Sequence, residues 1–192
     1  MQNKTVKLFA LGALAAATTF GANAENTYDY FVGFDAGTRV SGKLHETKDN
    51  SGYNESGDLK SEPIVGFSGG MIINNHHRVK FGLAYDDFKF DEADEGIDRM
   101  TTTVSYDYML PIANKLSWTV GGHMGYEFFD SDADELDNFT YGVQTGLDYK
   151  LTQKWSLGTE VSYTAHEEVE YKRWNDQIED DVTIMANVQY HF

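Results

Sequence analysis

Along this chain, ionisable residues fall on the same parity as small polar ones. Arg39, Lys80 and Arg99 share it with Asp29, Asp35, Asp86, Asp107, Glu127, Asp148 and Glu160, and His123, His166 and His191 join them. Side chains of one parity project to one face of a strand. Charges gathered on an enclosed face must pair or stay hydrated, because unpaired burial is expensive. Two chemistries follow. One is a network of ion pairs and waters that fills the enclosed space, and the other is a narrow cation-preferring path gated by rearrangement of those pairs. The filling network is the expected one, with Lys80 and Asp107 as its expected pair. Acids outnumber bases on this face, so some carboxylates should be neutralised by a proton or a bound cation.

Other candidate chemistries are weaker. Asp91 to Glu95 and Asp130 to Glu135 offer clustered carboxylates, the second with Asp at alternate positions. An EF-hand is excluded there: Glu135 occupies the position that needs Gly, and Tyr141 stands where the bidentate Glu belongs. Solvated, mutually repelling loops are the expected state. His166, close to Glu167, Glu168 and Glu170, shares the wet parity with Ser162 and Thr164 and could orient as a base for a hydroxyl. No nucleophile or oxyanion donor is marked out, so no catalytic residue is assigned. His76-His77 lacks the further ligands a metal site requires. Neither a metal nor a cofactor is expected.

The elements that must position these residues are strands. Val182 to Phe192 (VTIMANVQYHF) alternates strictly, with Val182, Ile184, Ala186, Val188, Tyr190 and Phe192 on the greasy face. Seven earlier segments alternate likewise: Tyr28 to Arg39, Val65 to Ile73, Val79 to Asp86, Arg99 to Leu110, Leu116 to Phe128, Phe139 to Tyr149 and Trp155 to Thr164. Long acidic links (Gly42 to Glu62, Asp91 to Asp98, Asp130 to Asp137, Glu167 to Asp181) alternate with tight turns (Asn74 to His77, Pro111 to Lys115, Thr152 to Lys154). Eight strands with short turns on one rim and long loops on the other predict an all-β, antiparallel, up-and-down transmembrane barrel. A soluble calyx would invert the alternation. It would also have no use for two aromatic bands, with Tyr28, Tyr30, Tyr108, Trp118, Tyr149, Trp155, Tyr190 and Phe192 near the turns and Tyr85, Phe128, Phe139, Tyr141 and Tyr163 near the loops.

Residues 1–24 read as a secretory signal peptide: Lys4 and Lys7, an apolar run from Leu8 to Gly21, then Ala22-Asn23-Ala24. The barrel domain is then 25–192. Loss of the two lysines, with no acid before Glu25, moves the formal charge from -16 to -18, which argues against nucleic acid as a partner. Without cysteine, disulfide and thiol chemistry are absent.

The signal peptide, the eight segments, WSLGTEVSYT on the seventh strand and the last strand with its terminal Phe192 resemble the small outer-membrane barrels of Gram-negative bacteria. These are the OmpA transmembrane domain, OmpX-like proteins and opacity-type adhesins. The resemblance implies an outer-membrane location, and Tyr190 and Phe192 as the signal read by the barrel assembly machinery. It also implies lipid and lipopolysaccharide as surroundings and a monomeric state. The expected function is non-enzymatic: structural or surface interaction through acidic loops, toward a ligand the sequence does not name. The alternative is a small or gated channel for ions or solutes, with lipid-modifying chemistry third.

Overall fold

The computed structural model describes residues 26–41, 43–48, 53–58, 63–88, 97–129, 138–166, 169–171, 174–178 and 180–192. The expected signal peptide and the acidic runs 91–95 and 130–135 lie outside them. Eight long strands close a barrel: β1 (Tyr28–Ser41), β4 (Pro63–Ile73), β5 (His77–Phe88), β6 (Ile97–Ala113), β7 (Leu116–Phe129), β8 (Asn138–Lys150), β9 (Trp155–His166) and β12 (Asp181–His191). Their order around the wall is β1-β12-β9-β8-β7-β6-β5-β4, every pairing antiparallel. The last strand closes on the first over Phe31↔His191 to Ser41↔Val182, so the wall has no edge strand.

The first and fourth long links are not plain loops. They contain β2 (Lys43–Lys48), β3 (Tyr53–Asp58), β10 (Val169–Tyr171) and β11 (Trp174–Ile178), which make a separate sheet in the order β10-β11-β2-β3. β2 follows β1 and β11 precedes β12, and the two pair over Leu44↔Ile178 to Thr47↔Asn175. The closing seam of the wall is thus continued by its own insertions.

The turns fix the register. Asn74 and Asn75 both adopt left-handed φ (53° and 59°), and the His76 amide donates to the Ile73 carbonyl at 3.1 Å. That is a type I′ turn, whose twist matches the strands it joins. Asn tolerates φ > 0 better than other side chains, which accounts for the Asn-Asn pair. His77 therefore belongs to β5 and not to the turn. Pro111 to Ala113 likewise extends β6 across a bulge, leaving Asn114 and Lys115 as the turn, with Lys115 at φ 67°. In the third turn Thr152 Oγ1 accepts from the amides of Lys154 and Trp155, both at 3.1 Å.

Parity is as expected. The outward set includes Val32, Phe34, Val65, Phe67, Phe81, Leu83, Val120, Met124, Val143, Leu147, Leu157, Val161 and Ile184, all exposed, Phe67 at 69%. The inward set is mostly buried polar. Its apolar part is a small cluster near the turn end, Phe31, Ile72 and Met109, each 3% exposed or less, with Ile64 and Phe129 buried toward the loop end. Ile73, of the outward parity, is buried. An apolar outside around a polar inside is stable only where the outer solvent is hydrocarbon. Val143→Arg, at the middle of β8 with Val143 62% exposed, should therefore destabilise the barrel in lipid by about 2–4 kcal/mol. Urea titration in phosphatidylcholine vesicles, followed by heat-modifiable gel migration, measures it.

Candidate functional site: a charged lumen in two layers

Closure brings residues far apart in sequence into two layers of ion pairs across the bore. The layer at the loop end runs Asp181–Arg39–Asp86–Arg99–Glu127–His166. Arg39 Nε donates to Asp181 Oδ2 at 2.9 Å, and its Nη2 donates to Asp86 Oδ2 at 3.1 Å. Arg99 grips both Asp86 oxygens, at 3.0 and 2.8 Å, and its Nη1 reaches Glu127 Oε1 at 2.7 Å. His166 Nε2 faces the other Glu127 oxygen at 3.5 Å. Residues of β12, β1, β5, β6, β7 and β9 take part, so the chain of charges nearly girdles the bore. All six side chains are buried.

The second layer, toward the turns, is centred on Arg78. Its Nε and Nη2 both bind Asp107 Oδ2 at 2.8 Å, a charge-assisted pair, and Gln144 Nε2 donates to Asp107 Oδ1 at 2.6 Å. Nη2 also lies 3.5 Å from Glu160 Oε2, and Nη1 lies 3.8 Å from Asp148 Oδ2. Lys80 Nζ donates to the same Glu160 oxygen at 2.8 Å. Asp107 has no exposed surface. The close approach of β6 and β7 here depends on Gly121, where a Cβ would collide with the Tyr106 carbonyl and the Asp107 backbone.

Between the layers is a cavity of about 140 Å³, lined by Asp35, Ser68, Lys80, Ser105, His123 and Glu160 among others. It is large and polar enough for several waters. On its wall Ser105 Oγ is buried with no hydrogen-bond partner among the described residues, and Ser68 Oγ stands beside Asp35. His123 stands between Gln144 Oε1 at 3.1 Å and Thr164 Oγ1 at 3.2 Å.

The lumen set expected from sequence is therefore brought together, with one pairing corrected. Lys80 does not pair with Asp107. It reaches across to Glu160 on β9, and Asp107 on β6 is taken by Arg78, directly opposite it on β5. Arg78 and Asp181 lie outside the segments read as strands, Arg78 between the turn Asn74 to His77 and the strand from Val79, and Asp181 at the end of the fourth long link. The signal was available: Arg78 has the parity of Lys80, and Asp181 that of Thr183 to His191. Asp35 lines the cavity without an ion pair among the described residues.

The hydroxyls proposed beside His166 are engaged elsewhere. Ser162 Oγ bonds Thr183 Oγ1 at 2.7 Å, and Thr164 meets His123. A Ser-His-Asp chain does occur at the turn end, with Ser156 Oγ 3.0 Å from His191 Nε2 and His191 Nδ1 2.9 Å from Asp29 Oδ1. Ser156 is fully buried, and the cavity does not reach it. A nucleophile needs an approach path, so this chain is a structural tie between β9, β12 and β1. The expected assembly residues sit beside it: Tyr190 packs edge-on against Trp155 at 5.1 Å between ring centroids, and the Phe192 amide donates to the Tyr30 carbonyl at 3.1 Å.

Residues 9–192 match the outer membrane protein beta-barrel domain family. The chain belongs to that family. Its members sit in the outer membrane of Gram-negative bacteria, so the short turns are periplasmic and the long links face outward. Among solved structures, this barrel is similar to the outer membrane protein AlkL (17% identity, TM-score 0.58, covering 90% of this chain and 93% of that one). It is also similar to OprG from Pseudomonas aeruginosa (14%, 0.55, 90% and 98%) and to Neisserial surface protein A (16%, 0.53, 85% and 97%). At such identities the likeness is one of fold. No curated protein matches the sequence.

Among the described residues Arg78 is the cation that pairs with Asp107 and Asp148, whereas Glu160 keeps Arg78 when Lys80 is lost. Arg78→Met should therefore destabilise by about 3–5 kcal/mol, the scale for stranding a buried partner, and Lys80→Met by clearly less. Equilibrium urea unfolding in vesicles tests the order.

Proposed function

We propose that this outer-membrane barrel is a closed, non-enzymatic scaffold whose work is done by the links it presents at the cell surface. The reading rests on one observation: two ion-paired layers and an apolar floor of Phe31, Ile72 and Met109 obstruct the bore in series. An eight-stranded wall leaves little lumen even before such filling. The seam-continuing sheet, β10-β11-β2-β3, supports a presenting role, because it stiffens the first and fourth links against each other. One fold relative is by name a surface protein. The role inferred is adhesion or envelope integrity, with outer-membrane lipid and lipopolysaccharide as surroundings, a monomeric barrel, and Tyr190 and Phe192 as contacts for the assembly machinery.

A channel is the second reading, favoured by the hydrated cavity between the layers. Planar bilayer recordings separate the two. The scaffold predicts no reproducible single-channel steps from the wild type, and loss of surface binding on deletion of residues 43–61. Regular steps from the wild type, altered in size by Lys80→Ala or Arg99→Ala, would establish the channel instead.

A further inference from the structure

The chain's charge is segregated along the barrel axis in a way its net value hides. Acids crowd the long links, whereas the turns and the strand ends beside them carry Lys115, Lys150 and Lys154 and the histidines 76 and 77. Among the described residues of the turn rim the partly exposed acid is Asp29, and it is already bound by Lys150 at 3.0 Å and His191 at 2.9 Å. Lys115 and Lys154 are exposed and make no ion pair among the described residues. They belong to adjacent turns. The Lys150 amide donates to the Lys115 carbonyl at 2.8 Å, and Lys115 Nζ lies 3.4 Å from the Leu151 carbonyl. Lys154 Nζ stands 5.9 Å from the Tyr190 ring centroid, whose neighbour is Trp155. Just above, toward the membrane, Trp118, Tyr149 and Leu157 are exposed on the outer face.

We propose that this β7–β8–β9–β12 sector of the periplasmic rim is a headgroup site for an anionic phospholipid of the inner leaflet. Its phosphodiester lies between the Lys115 and Lys154 ammoniums, and its chains lie along Trp155, Tyr149 and Leu157. The argument is charge complementarity at a fixed depth. Two uncompensated cations sit at the level of the aromatic belt, where headgroups lie, on a protein of formal charge -16. A zwitterionic headgroup brings its own cation and gains less from the pair. A periplasmic protein with an acidic face is the other conceivable occupant, but the continuous apolar shelf above the lysines suits acyl chains. This site depends on the outer-membrane placement and not on whether the lumen is closed.

The test reconstitutes the full mature barrel in phosphatidylcholine vesicles containing graded amounts of brominated phosphatidylglycerol or, in parallel, brominated phosphatidylcholine. Quenching of the turn-end tryptophans, Trp118 and Trp155, reports occupancy. The expected result is a preference for phosphatidylglycerol of about fivefold for each lysine engaged, roughly thirtyfold for both, the factor given by an attraction of about 1 kcal/mol per lysine. That preference should fall with added salt and disappear in Lys115→Gln/Lys154→Gln, while Lys43→Gln/Lys48→Gln keeps it. Heat-modifiable migration confirms that each variant is folded. Equal quenching by the two lipids, or a preference unchanged in the Lys115→Gln/Lys154→Gln barrel, overturns the proposal. Because conductance and surface binding play no part in the readout, this site and the scaffold function fail independently.

Discussion

A strand wall in hydrocarbon must satisfy every backbone polar group internally, and only closure does so. In this protein closure is the pairing of β1 with β12, and the rest of the molecule is organised around that seam. It is clasped at both ends by side chains: the Arg39–Asp181 ion pair where the long links begin, and the Asp29–His191 hydrogen bond where the turns lie. Above it the pairing continues from β2 to β11. Arg39 then carries the seam into the lumen, because its second nitrogen holds Asp86, which Arg99 also holds. The first layer is thus an extension of the act of closure.

Such layers are not an efficient source of stability. Well-packed apolar residues often do as well as a buried ion pair, while a stranded charge is penalised by several kcal/mol. What the layers impose is selectivity among arrangements. Four lumen cations, Arg39, Arg78, Lys80 and Arg99, are shared among carboxylates from β5, β6, β7, β8, β9 and β12. A slip of one residue in any of these strands would turn its charge toward lipid. The same sharing gives the bore its obstruction, so the features that fix register also argue for a scaffold over a conduit.

Much of this was legible in the sequence, because a transmembrane barrel writes its two solvents directly onto residue parity. The eight strands, the face of most side chains and most of the lumen set follow from alternation. What alternation does not carry is height and reach. Lys80 and Asp107 are near neighbours by strand order, yet the flexible lysine stem spans the bore to Glu160, and the residue opposite Asp107 is Arg78. Arg78 itself was hidden by a boundary error. Two asparagines in the left-handed region make a turn tighter than the polar run Asn74 to His77 suggests, so β5 starts earlier. Asp181 was lost in the same way, to an acidic run that reads as loop. The pairing of β2 with β11 had no local signature, since it joins segments over a hundred residues apart. The buried Ser156–His191–Asp29 chain was equally invisible, because its members are drawn from three strands.

The guanidinium groups of Arg39, Arg78 and Arg99 are locked into buried ion pairs that fill the lumen. Proton exchange at their Nε–H groups, resolved by nitrogen-15 NMR of the barrel in lipid nanodiscs and assigned by single Arg→Lys variants, tests it most directly. The account predicts three guanidinium signals whose exchange with water is slowed by orders of magnitude relative to free arginine. Rapid exchange at all three would mean a lumen of mobile, hydrated side chains, and would contradict it.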